Sequence, residues 1–330
     1  MPRGILAVLF CALALTLPTG CPPDQGGENP PSDFRSAMRS FVQSISAKAR
    51  ETSPGFAIVP QNGLELLSLS EEPNGPPAAD YIGAVSAVGR EDVFYGYTSD
   101  DAPTPKTDRE YLVSWLEAAR LDHLTALVTD YCSTKGHVDD AYAQGDAIGC
   151  LTFAADHREL DDIPAYPARP VNENHLDIHT VSEARNFLYL INPSSFSSRS
   201  AFLGALRATD FDLLILDNEY DGVPLSKDEV ASLKTKQRGG ARLVIAYMSI
   251  GEAEDYRWYW QASWRNDPPA WLEKPNPDWP GNYKVRYWDP GWQEIIMGAG
   301  DSYLGRLLNA GFDGAYLDII DAFEYFENGS

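Results

Sequence analysis

Eight short apolar runs, each ending in polar or acidic residues, recur along this chain with helical patterns between most of them. Phe56–Pro60 ends at Gln61, Asn62 and Gly63, and Tyr81–Val88 runs out to Glu91 and Asp92. Leu124–Val128 ends at Asp130 and Tyr131, Ala147–Phe153 at Asp156, and Phe187–Ile191 at Asn192. Leu213–Leu216 ends at Asp217, Leu243–Met248 at Ser249 through Glu252, and Gly314–Leu317 at Asp318. Short apolar runs bounded by turn signals read as buried strands. Helical spacing is predicted over Phe34–Arg50, Thr107–Ala119, Val138–Gln144, Ser198–Ala208, Ser226–Arg238 and Pro290–Ala310, and Ser226 with Glu229 forms a capping box. Buried strands alternating with helices call for a parallel sheet, because each parallel crossover needs a covering segment. Eight such units predict an α/β fold of the closed (β/α)8 barrel type. The rival is an open doubly wound sheet, which usually carries a glycine-rich phosphate turn after its first strand, and none is found here.

Barrels place their chemistry on the loops at the carboxyl ends of strands, and most of these runs end in Asp, Glu or Gln. Asp and Asn also start loops and cap helices, so a single position decides little. The 330 residues carry 48 acidic and 26 basic side chains, a formal charge of −22. That balance repels phosphate backbones and argues against nucleic acid, while it suits a cationic or neutral ligand or simply a soluble surface. With 44% hydrophobic and 12% aromatic residues the chain has material for a packed core.

The densest chemistry lies in Tyr247–Tyr256, with Glu252 and Glu254, followed by Trp258, Trp260 and Trp264, then Asn276–Tyr283 and Arg286–Pro290 with Trp288 and Asp289. Carboxylates among Trp and Tyr suit carbohydrate; the alternative is an aromatic loop packed as a lid. Glycoside hydrolysis needs two carboxyl groups, one to protonate the leaving oxygen and one to attack the sugar or activate water. Asp217 as nucleophile or base and Glu252 as acid are the expected pair, with Asp318 a third candidate. Gln61, Asn62, Glu91, Asp92, Asp130, Tyr131, Glu254, Asn282 and Asp289 are expected to line the site, with Tyr95, Tyr247 and Trp288 stacking on sugar rings. The pair's separation, and so retention or inversion, is open at this point.

Tyr247–Tyr256, Asn276–Asn282, Tyr287–Pro290 and Tyr316–Tyr325 resemble family 114 of the glycoside hydrolases, the endo-α-1,4-polygalactosaminidase-like (β/α)8 barrels. Pro60–Gly63, Gly89–Gly96, Asp130–Cys132 and Arg158–Asp161 resemble the same family, but the two halves stand in exchanged order. The resemblance implies a circularly permuted barrel, its strands running 5-6-7-8-1-2-3-4 relative to the family, in which Phe34–Arg50 is the helix that ordinarily follows Asp318–Tyr325. Such permutation is tolerated where termini are neighbours, so residues 30–40 are expected beside 320–330. The rival is a chain cut from tandem copies that completes its barrel by swapping. The resemblance implies hydrolysis of an amino-sugar polysaccharide, with Asp217 matching a catalytic Asp. Asn282 stands where the family's partner Glu is expected, and an amide neither gives nor takes the catalytic proton. A non-catalytic carbohydrate-binding lipoprotein is therefore the alternative, and a structural envelope protein a third class.

Residues 1–21 read as an export leader with Arg3 before an apolar run, and Leu17–Cys21 resembles a lipoprotein cleavage site with Cys21 as the lipidated residue. Plain secretion is the alternative. Residues 22–33 read as a flexible tether and 34–330 as one barrel. The expected setting is the bacterial cell envelope or outside the cell, with membrane contact only through the lipid anchor. Cys132 and Cys150 are free to form a disulfide there without requiring one. His175 and His179 lack the acidic motif that would make them metal ligands. No metal or cofactor is implied, and oligomeric state is left open.

Overall fold

The computed structural model describes residues 30–329, so the leader, Cys21 and most of the tether lie outside the described residues. Eight strands carry the architecture: β1 (Ala57–Pro60), β2 (Ala87–Glu91), β3 (Thr125–Tyr131), β4 (Leu151–Ala155), β5 (Phe187–Leu190), β6 (Leu213–Leu216), β7 (Leu243–Ser249) and β8 (Gly314–Asp318). They form a five-stranded sheet in the order β1-β8-β7-β6-β5 and a three-stranded sheet β2-β3-β4, every pair parallel. The sheets meet at both edges. Gln61 bridges Gly89 in parallel, with the Asn62 amide donating to the Gly89 carbonyl at 2.8 Å. On the far side β4 lies against β5, with Phe153 and Phe187 ring centroids 5.7 Å apart. This mixed α/β arrangement around a parallel sheet is compatible with a barrel. Strands covered on both faces need unbroken apolar sequence, which is why Leu213–Leu216 is buried throughout.

Two apolar runs divide differently from the expectation. Tyr81–Val88 begins inside a helix, Ala79–Ala84, which buries Tyr81, and only Ala87 onward is strand. Ala147–Phe153 begins at the last residue of the Lys135–Ala147 helix, and Gly149 at φ +68° reverses the chain into β4. The expected Pro290–Ala310 helix is two, Pro290–Met297 and Tyr303–Ala310, interrupted around Gly298 and Gly300. Ser226–Arg238 is helical only over Lys227–Leu233. In each case hydrophobic periodicity ran past a backbone that glycine or a turn had redirected.

The first helix, α1 (Phe34–Thr52), is capped by Asp33, whose carboxylate accepts from the Ser36 amide. Its apolar face of Met38, Phe41, Val42, Ile45 and Ala49 is buried. Phe34 stacks on Phe326 at 5.5 Å, and Arg35 pairs with Glu327 at 3.0 Å, so residues 30–40 do lie beside 320–330. Cys132 and Cys150 are both free and buried.

After β7 an excursion forms an antiparallel sheet of Glu252–Glu254, Asn282–Val285 and Leu272–Pro275. Its tryptophans pack among themselves: Trp260 on Trp264 at 5.3 Å, Trp264 on Trp271 at 5.0 Å, and Trp271 on Trp292 at 5.1 Å. They are the small core of this sheet, as the lid alternative supposes.

Candidate active site

The carboxyl ends of β8, β1 and β2 bring six expected residues together. Asp318 ends β8 and accepts from the Tyr247 hydroxyl of β7 at 2.6 Å. Glu91 ends β2 and accepts from the Tyr131 hydroxyl of β3, and from the Asn62 amide at 3.5 Å. Gln61, on β1's end between them, accepts from the Tyr189 hydroxyl at 2.9 Å. Register puts these side chains level: Leu317 pairs with Pro60, and Gln61 with Gly89. A Cβ on residue 89 would collide with the Tyr316 hydroxyl, so glycine there makes room for that ring beneath the site. The Tyr316 hydroxyl has no hydrogen-bond partner among the described residues.

Asn62, Asp92 and Ile319 each follow a residue of this cluster, and each has a left-handed backbone, φ +64°, +62° and +58°. Asn and Asp tolerate that region, but for β-branched Ile it is a strained conformation of the kind that collects at functional sites.

The electrostatics match the geometry. Desolvation by the surrounding protein, then the nearby charge of Glu91, push the Asp318 carboxyl up to about 8, and the Tyr247 hydrogen bond only partly offsets this. Glu91 is raised by the same desolvation and by Asp92, while the Tyr131 hydroxyl and the Arg158 charge pull it back. Burial thus raises both carboxyls, and the Arg158 charge acts against that on Glu91.

A second group surrounds Arg257. Its guanidinium donates to both oxygens of Asp217 at 2.9 and 2.7 Å and to Glu254 at 2.7 Å, and Glu219 lies at 4.0 Å. Asp217 is thereby held as one side of a bidentate ion pair. A third group surrounds Glu252, which is fully buried. Its two oxygens accept from Asn276 at 2.8 Å, Asn282 at 3.1 Å and Lys284 at 2.5 Å. Asn282 serves here as a donor between neighbouring strands of the excursion's sheet, and Glu252 is held within that sheet without reaching solvent.

Several expected binding residues turn out to be occupied structurally. Asp130 is buried and accepts from the Phe94 and Tyr95 amides; its burial pushes it up to about 7. Asp92 pairs with Arg158 at 2.7 Å. Tyr95 donates to Asp140 and stacks on His137 at 4.8 Å. Trp288 is buried between Phe34 and Phe326, in the seam between α1 and the Ala322–Glu327 helix, far from a sugar-stacking role. Asp289 caps the Pro290–Met297 helix through the Gly291 amide. Tyr131 and Tyr247 touch carboxylates through their hydroxyls and present no open ring face, being almost wholly buried. Sequence reasoning overlooked Arg257, Lys284, Arg158, Tyr189 and Tyr316. In a chain this acidic, an arginine or lysine set among carboxylates was the available signal for the first three; the tyrosines are marked only by their inward positions on β5 and β8.

Comparison with known proteins follows the same segment. An uncharacterized protein of Methanocaldococcus jannaschii is 39% identical over 158 residues, covering 48% of this chain and 43% of that protein. Uncharacterized proteins of Deinococcus radiodurans and Thermotoga maritima are 42% and 40% identical over 127 and 121 residues, or 38% and 36% of their lengths. The chain thus matches less than half the length of each relative. Residues 202–330, a span that takes in β6, β7 and β8, match glycoside-hydrolase family GH114.

Proposed function

We propose that this protein hydrolyses a polysaccharide rich in amino sugar, of the α-1,4-galactosamine type, with Asp318 as general acid and Glu91 as base or nucleophile. The observation that carries this reading is the pairing of these two carboxyls across the end of β1, each braced by a tyrosine hydroxyl. A carboxyl that keeps its proton at neutral pH can protonate a leaving oxygen, and its ionised neighbour supplies the second role. Asp217, the family-matched candidate, is held by Arg257 and binds or orients substrate beside the pair. Glu252, expected as the acid, is given a structural task instead, because it is fully buried under three donors.

The same reading includes a closed, permuted barrel. Its support is the α1 contact with the C-terminal helix and a family match confined to residues 202–330, as expected when the remaining units stand in exchanged order. Export with a lipid on Cys21 rests on the leader pattern.

The test is reducing-end release from partly deacetylated α-1,4-galactosamine polymer by the purified protein. Asp318→Asn and Glu91→Gln are each expected to lower the rate about 10²- to 10⁴-fold, with Glu252→Gln less damaging per folded molecule. Polymer bound but never cleaved by the unaltered protein would instead establish the carbohydrate-binding class.

A further inference from the structure

The rings named by sequence as stacking platforms are buried, whereas two others on the excursion stand open. Tyr256 is 58% and Trp279 is 48% exposed. They share one edge of the antiparallel sheet. The Asp255 amide donates to the Gly281 carbonyl at 2.8 Å, and the Asn282 amide closes the turn onto the Trp279 carbonyl at 3.1 Å. Gly281, at φ +97°, allows that turn to lie against the Tyr256 ring: a Cβ there would sit 3.5 Å from Tyr256 Cδ1.

We infer that Tyr256 and Trp279 form a distal sugar-binding platform, an extension of the cleft that takes further residues of the polysaccharide chain. This rests on the glycoside-hydrolase reading. The platform adjoins the Arg257 group. The Tyr256 hydroxyl donates to Glu254 at 2.6 Å, and its ring lies 5.3 Å from the Arg257 guanidinium that holds Asp217. Unlike the singly exposed Tyr97 and Tyr111, these two rings are brought to one turn, and exposed apolar surface gathered in one place marks binding sites. The hexose ring offers the matching chemistry: a face of C–H groups to lie on the aromatic ring and equatorial hydroxyls to reach the rim. Asp278, exposed in the turn beside Trp279, suits a polymer bearing ammonium groups. The occupant is therefore a polysaccharide chain, one sugar of which lies on the platform while another is cleaved.

The experiment measures binding of partly deacetylated α-1,4-galactosamine polymer by affinity electrophoresis, alongside cleavage of that polymer and of a short soluble oligomer. Tyr256→Ala and Trp279→Ala are each expected to weaken polymer binding about tenfold, with short-oligomer cleavage unchanged. Tyr256→Phe, which keeps the ring and loses only the hydroxyl, should bind as the unaltered protein does. Tyr111→Ala removes an exposed tyrosine from the Lys106–Leu121 helix and should have no effect. Polymer binding and cleavage untouched by the Tyr256→Ala/Trp279→Ala double change would overturn the platform while leaving the hydrolase reading standing. An unaltered protein that neither binds nor cleaves the polymer would overturn both.

Discussion

At the amino ends of the strands, Lys236 and Asp212 pair at 2.8 Å with neither side chain exposed, while at the carboxyl ends Glu91 and Asp318 share a neighbourhood with no basic group bonded to either among the described residues. The contrast extends outward. Asp212 also accepts from Asn174 and from the Arg185 amide, and Lys236 also donates to the Leu176 carbonyl. Nearby, buried Arg242 donates to the carbonyls of Leu233, Leu206 and Thr209. Each charge at that end has its partners, so the arrangement has one state and serves stability. At the other end a proton is held against the ordinary tendency of a carboxyl to lose it, and Ile319 keeps a strained backbone beside it. Unfavourable local terms that the rest of the fold sustains are the mark of a site kept for chemistry.

The contrast can be broken from either side. The largest effect is expected from Lys236→Ala, which leaves Asp212 buried without its cation. It should cost about 3–5 kcal/mol in urea unfolding, with cleavage per folded molecule unchanged. Asp318→Asn should act in the opposite sense. The unfolded carboxyl releases its proton near its ordinary value of 3.8, whereas the folded one keeps it to about 8. Between those values the folded state binds more protons, so this group lowers stability as pH rises through the window, and the full penalty persists above it. Removing the charge should therefore leave stability at pH 4 unchanged and raise it at pH 8, on the order of 1 kcal/mol for a carboxyl that still meets solvent. Loss of cleavage with a gain in stability is a combination that the amino end cannot produce.

Much of this was legible in the sequence because the informative interactions are local. The runs from Phe187, Leu213, Leu243 and Gly314 became strands at nearly the expected bounds, since burial on both faces leaves little choice of residue. The ends of the Phe56, Tyr81 and Gly314 runs did gather Gln61, Asn62, Glu91 and Asp318. Roles were less legible, because they depend on partners distant in sequence. Glu252 is bonded by a lysine and two asparagines 24 to 32 positions away, and Asp217 by an arginine 40 positions on. Aromatic composition likewise pointed to carbohydrate without separating the packed rings, such as Trp288 and Trp264, from the open ones at Tyr256 and Trp279. That distinction belongs to the register and turns of the excursion, above all to the turn closed at Gly281.

Asp318 is expected to keep its proton at neutral pH and to feel the charge of Glu91. The most direct measurement is a carboxyl carbon-13 NMR titration of Asp318 in the unaltered protein and in Glu91→Gln. The expected result is a midpoint near 8 that moves toward the acid side when the Glu91 charge is removed. A midpoint near the ordinary 3.8 in both proteins would contradict the pairing and return the search for the acid to the other carboxylates of the cleft.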